Sequence, residues 1–163
     1  MELSKWFSVN DLPKLMFIED EFIKFVLLKC KIIMRFHTRK WVKPEDLNPN
    51  STLFGGRLLA WIDEEIALYA IIQLESPRIV TKHMSEINFR SSAKQGDIVE
   101  IGIDVVKFGK TSLTLVCEVR NMMTKETIIT IDTITMVSVD LEGKPQPHGK
   151  TKIEYVEERL GKR

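Results

Sequence analysis

NPNSTLFGGRLLAWIDEE, residues Asn48–Glu65, decides how this chain is read. Two glycines, Gly55 and Gly56, open an apolar run that then carries three acids in succession, Asp63, Glu64 and Glu65. Leu58, Leu59, Ile62, Ile66, Tyr69 and Ala70 recur at helical spacing, which predicts one long helix over Gly55–Leu74, with Pro77 marking its end. Trp61, Leu68, Ile71 and Ile72 add apolar surface on the other sides, so this helix is expected to be buried nearly all round. A Gly-Gly start brings the free N–H groups and partial positive charge of a helix N-terminus within close reach of a ligand atom. An acyl carbonyl could be held and polarised there, as in an oxyanion hole. A plain loop-to-helix turn has the same residues, and this feature alone leaves both readings open.

Successive helix residues point about 100° apart, so the three acids face three directions. The i±3 and i±4 neighbours of Asp63 are Leu59, Ala60, Ile66 and Ala67, all apolar and two of them small. Asp63 therefore sits on the shoulder of the apolar stripe, whereas Glu64 points away from it, nearer Arg57. A partly desolvated carboxylate is the usual setting of a catalytic base or nucleophile. The alternative is a boundary residue paired with a Lys or Arg. Gly55 and Asp63 are eight residues apart, about 12 Å along one helix axis. If both act on one thioester they must come from different subunits, which requires a homodimer with two equivalent sites.

Working outward, Lys31–Val42 has the β-rich composition of a strand and Pro44–Ser51 is a polar loop. After the helix come four strand-like segments, about Arg78–Arg90, Asp97–Phe108, Thr111–Met122 and Thr127–Val139, with a tight turn at Gly109-Lys110. Their short links imply an antiparallel meander. The fold class is α+β, with a curved antiparallel sheet of about five strands wrapping one central helix. Residues 1–30 read as an N-terminal extension, with a helix starting near Asn10 or Asp11; 31–147 form the domain and 148–163 a charged tail.

The whole chain sets outer limits. It has 163 residues, a net charge of +1, 44% hydrophobic and 29% charged residues, which suits one globular domain with no overall field for nucleic acid. Cys30 and Cys117 have no metal-ligand spacing and read as core thiols of a reducing compartment; no metal is expected. Met16–Ile33, broken by Glu19, Asp20, Glu21 and Lys24, is neither a membrane span nor a signal peptide, and the expected location is cytoplasmic.

The block Asn48-x-x-Ser51-Thr52-Leu53-Phe54-Gly55-Gly56, then Leu58-Leu59 and Trp61-Ile62-Asp63-Glu64, resembles the hot-dog-fold acyl-CoA thioesterases. It is most similar to the acyl-CoA hydrolase branch with an N-x-x-G-x-x-F/H-G-G…D pattern. Phe89 with Gly96-Asp97, Gly109-x-Thr111-Ser112 and Val139-Asp140-x-Glu142-Gly143-Lys144-Pro145 resemble further family segments, and the match covers roughly 32–147. The resemblance implies a dimer whose sheets join edge to edge, often assembled into a hexamer. It implies that Asp63 is catalytic, that Asn48 positions water or the carbonyl, and that the amide of Gly55 or Gly56 polarises the thioester. Ser51 stands where the family has glycine, and Ser91-Ser92 where a basic-Pro pair is common.

The expected function is hydrolysis of an acyl-CoA thioester to free acid and coenzyme A, with coenzyme A a part of the substrate and no separate cofactor. Arg90, Lys94, Lys107 and Lys110 are candidates to meet its phosphates near the pocket mouth. The alternative is a non-catalytic acyl-CoA-binding module on the same fold. A hydratase would be expected to set a histidine beside the acid, and none lies between Val42 and Lys82.

Overall fold

The computed structural model describes residues 34–153. The expected N-terminal helix, Cys30 and the end of the charged tail lie outside the described residues. The chain runs β1 (Phe36–Trp41), a 3-10 turn (Pro44–Asp46), helix α1 (Gly55–Leu74), β2 (Ile79–Met84), β3 (Ile87–Phe89), β4 (Ile98–Phe108), β5 (Ser112–Asn121) and β6 (Thr127–Ser138). The sheet order is β1-β4-β5-β6-β2, with β3 also paired to β6, and every pairing is antiparallel. A curved sheet wrapped on one long helix is the hot-dog arrangement.

Three expectations change. The segment Arg78–Arg90 is two strands, giving six rather than about five. β2 pairs with residues 134–138 of β6 and β3 with 129–131, and the break is held by Ser85, whose N–H donates to Thr133 O and whose Oγ accepts from Thr133 N. The meander holds only for β4-β5-β6, because β2 lies on the far edge beside β6 instead of next to β4. The helix has the expected limits but is not buried all round. Leu58, Ile62, Ile66, Ala70 and Leu74 are buried, while Leu68 and Ile72 are about half exposed. The sheet covers one side of α1 only, and nothing else among the described residues covers the other.

The core forms where this buried stripe meets the alternate residues of the central strands. Ile101 and Ile103 of β4, Leu113, Leu115, Cys117 and Val119 of β5, and Ile129, Ile131, Ile134 and Met136 of β6 turn inward. Burial, with Glu118 adding, pushes the Cys117 thiol up to about 12, so it behaves as a core thiol. The tail stays tied to the domain past 147: His148 N–H donates to Lys110 O, and Lys150 Nζ reaches Glu75 Oε2 at 2.7 Å.

The outer face carries one buried acid. Glu100 accepts from Arg120 Nε at 2.6 Å and Lys125 Nζ at 3.0 Å, and the Arg120 guanidinium stacks 3.5 Å from the centre of the Phe36 ring. Gly102, opposite Phe36 in the β1–β4 register, leaves room for that ring and for Met34; a Cβ there would lie 2.6 Å from Met34 Cγ. Burial alone would raise the Glu100 carboxyl, but the hydrogen bonds and charges of Arg120 and Lys125 outweigh it and hold the group below 4.5. With the folded-state value the lower, this stabilisation is complete above the unfolded-state value and is lost as pH falls through the folded one. Glu100→Gln is expected to lower stability to urea by roughly 2 kcal/mol at neutral pH, and the gap to wild type should close as both are titrated into the acid range.

Candidate functional site

The loop before the helix is built from short local bonds. Asn48 N–H donates to Thr52 O at 2.8 Å, Ser51 N–H to Asn48 O at 2.9 Å, and Leu47 bridges Leu53. Asn48 Oδ1 accepts from Asn50 N at 2.8 Å and its Nδ2 donates to Thr52 Oγ1 at 2.9 Å, so the amide largely holds its own loop. Leu53 N–H donates to Ala93 O and Phe54 N–H to Asp46 O, which docks the loop against residues 91–97 and the 3-10 turn. Asp46 is buried and pairs with Arg57 Nε at 3.2 Å. Arg57 thus serves the turn and is not the partner of Glu64.

Between loop, helix start and β3 lies a cavity of about 310 Å³. Its polar lining is Asn48, Ser91, Ser92 and the backbone of Gly55; its apolar lining is Leu53, Leu58, Phe89, Ala93 and Ile128. No side chain caps α1, no acid occupies its first turn, and neither glycine N–H has a partner among the described residues. Gly55 lines the cavity and packs closely on Phe89, whose Cζ would be 3.2 Å from a Cβ there; Gly56 is exposed beside Phe54. The helix start therefore offers N–H donors and positive dipole to an apolar hollow.

The acids divide as the helical spacing requires. Glu65 accepts from Thr38 Oγ1 at 2.5 Å and pairs with Lys40 Nζ at 3.2 Å; Glu64 lies 3.7 Å from the same Lys40. Both therefore face β1. Asp63 faces the opposite edge, where Thr81 Oγ1 of β2 donates to its Oδ1 at 2.8 Å. Asp63 is exposed in the protomer, so its own chain does not supply the desolvation expected of it. It is also absent from the cavity lining, as the distance along the helix demands. Thr81 was not singled out from the sequence: a lone threonine in a strand has no local signature, and only the pairing of β2 brings it to Asp63.

The four basic candidates do not gather within one protomer. Arg90 and Lys94 flank Ser91–Ala93 at the cavity, with Lys94 bridged to Thr52. Lys107 and Lys110 lie at the other end of β4, nine or more residues beyond Ile98, roughly 30 Å along the strand. That is the Asp63 end: Thr81 pairs with Met136, Met136 with Leu113, and Leu113 with Phe108. Leu59, Trp61 and Tyr69 are partly buried and pack against the core. Tyr69 stacks on His37 with ring centres 5.4 Å apart, and burial first, then Asp104, pushes its hydroxyl up to about 12 against the pull of Arg35. Among the described residues no group of His, Cys, Asp and Glu is placed to hold a metal, and no helix is long and apolar enough to cross a membrane.

Residues 50–127 match the family model of the thioesterase superfamily. The acyl-CoA thioester hydrolase YciA of Salmonella typhimurium is 31% identical over 115 residues, 67% of this chain and 86% of the relative. The chain belongs to this thioesterase family. Its fold is shared with the hexameric thioesterase y2039 from Yersinia pestis, at 27% identity and a TM-score of 0.65 over 71% of this chain and 96% of that one. The acyl-CoA hydrolase of Staphylococcus aureus, solved with butyryl coenzyme A, is 31% identical with a TM-score of 0.61, over 68% of this chain and 66% of that one. Against three further curated acyl-CoA thioester hydrolases, two from Buchnera aphidicola and YkhA of Bacillus subtilis, the match spans only 56–63% of the relative's length.

Ser51 has φ 59°, in the left-handed region that favours glycine. Ser51→Gly is expected to raise stability by up to about 1 kcal/mol, and Ser51→Val to lower it by more than that, read from urea denaturation of the two variants side by side.

Proposed function

We propose that this protein hydrolyses an acyl-CoA thioester to free acid and coenzyme A in a site closed by two protomers. One observation carries the reading: α1 starts at a cavity-lining glycine whose N–H has no partner among the described residues, and eight residues on carries an exposed carboxylate held by Thr81 of the edge strand β2. Each half is chemically incomplete alone. An antiparallel pair of α1 helices across a two-fold axis, with β2 meeting its copy edge to edge, would bring Asp63 of one chain to Gly55 of the other. The half-exposed Leu68 and Ile72 leave apolar helix surface available for such contacts.

The steps follow from the groups. The acyl carbonyl lies against the Gly55 or Gly56 N–H, which stabilises the oxyanion as it develops. Asp63 takes a proton from water attacking the carbonyl carbon, or attacks it directly to give a mixed anhydride that water then cleaves. The thiolate of coenzyme A leaves and is protonated. Thr81 orients the carboxylate, and Asn48 keeps the loop around the carbonyl and lines the pocket. Arg90 and Lys94 of one protomer, together with Lys107 and Lys110 from the Asp63 end of the other, supply cations for the phosphates. The Yersinia relative's hexameric state supports assembly of three such dimers.

Asp63→Asn is expected to lose most of kcat, a fall on the order of a hundredfold or more, while retaining the wild-type oligomeric state. Thr81→Val should lower kcat less. A panel of acyl-CoAs from acetyl to palmitoyl, with thiol release followed beside size-exclusion chromatography, tests both. Full turnover by Asp63→Asn would remove the aspartate from the mechanism, and binding without thiol release by wild type would make the protein an acyl-CoA-binding module.

A further inference from the structure

The stripe Leu58, Ile62, Ile66, Ala70 and Leu74 seats the helix that carries Asp63 on the sheet, but Leu59, Trp61, Ala67 and Tyr69 beside it are also apolar and pack on the core, so a small turn about the helix axis changes apolar burial little. Its polar anchors are directional. Asp63 and Glu65 are two residues apart, about 200° around the helix, and they reach opposite edges of the sheet that wraps it. At one edge the Glu65 side chain, 15% exposed, accepts from the Thr38 hydroxyl and pairs with Lys40 on β1. At the other, Asp63 accepts from Thr81 on β2. A β-bulge between Phe36 and Thr38 turns both His37 and Thr38 toward α1, which places the hydroxyl under Glu65. Turning the helix to relax one anchor strains the other.

We propose that Glu65, with Thr38, is a positioning residue for the reaction: its bond to β1 sets the rotation of α1 that aims Asp63 at β2 and at the edge where a second protomer would meet it. The inference rests on the thioesterase reading for its effect on turnover, but its geometric content stands apart from it. Glu65 touches neither the cavity nor Asp63, so it acts only through the helix. A short charge-assisted O–H···O⁻ bond shielded from water is the kind of contact that can hold such a rotation.

The test compares full-length Glu65→Ala, Glu65→Gln and Thr38→Val with wild type. Glu65→Ala should lower kcat on the order of tenfold with KM changed by no more than about twofold, since displacement of a reacting group acts on the chemical step. Glu65→Gln, which keeps an acceptor for Thr38, should recover most of that loss, and adding Thr38→Val to Glu65→Ala should bring no further fall. Crystal structures provide a readout that needs no turnover: in Glu65→Ala the 2.8 Å Asp63–Thr81 bond should be broken or lengthened past hydrogen-bond distance. Wild-type kcat in Glu65→Ala, or an unmoved α1 with that bond intact, overturns the proposal. If wild type releases no thiol, the thioesterase reading fails, and the crystal comparison still decides this inference.

Discussion

The rest of the structure depends on how a nearly all-apolar helix is held inside a curved sheet. Burial of Leu58, Ile62, Ile66, Ala70 and Leu74 supplies the attraction, but the apolar residues flanking this stripe make the burial insensitive to a small turn of the helix. Direction comes from three consecutive acids. Two of them meet Thr38 and Lys40 on one sheet edge, and the first meets Thr81 on the other. The same contacts that fix the helix therefore decide where the Asp63 carboxylate points.

The cavity follows from the same placement. Once the helix start is docked through Leu53–Ala93 and Phe54–Asp46, Gly55 lines a hollow with Phe89, Leu53, Leu58 and Ile128. The absence of a capping side chain leaves the first N–H groups to a ligand or to water. Asp63 and, three strands away, Lys107 and Lys110 lie at the other end of the sheet, and among the described residues β2 has no further strand beside it. Donors at one end and carboxylate at the other are two halves of one chemistry, separated by the length of helix between them.

Much of this was legible in the chain itself, and for local reasons. The limits Gly55–Leu74 follow from a glycine pair, helical apolar spacing and Pro77, all within reach of one another. β4, β5 and β6 fell within a residue of their expected bounds because alternation and turn residues are also local signals. What the local pattern does not carry is non-local. The split of β2 from β3 depends on where each pairs along β6, and the dispersal of the four basic residues depends on the length of β4. Helical spacing turned Glu64 away from the apolar stripe, but its meeting with Lys40 of a distant strand, and that of Arg57 with Asp46 of the loop, depend on tertiary packing.

The amino-acid sequence by itself determined that one long helix begins at a glycine pair, carries an acid on the shoulder of its apolar stripe, and precedes a run of antiparallel strands. It also determined that Gly55 and Asp63 are too far apart to meet on one helix, because helical rise is a property of the backbone alone. Tertiary structure alone decided which acid faces which sheet edge, that Thr81 donates to Asp63, and that Leu68 and Ile72 of the helix are left half exposed. Those outcomes depend on strand order and register, which are set by the summed packing of the sheet and are encoded in no short stretch of residues.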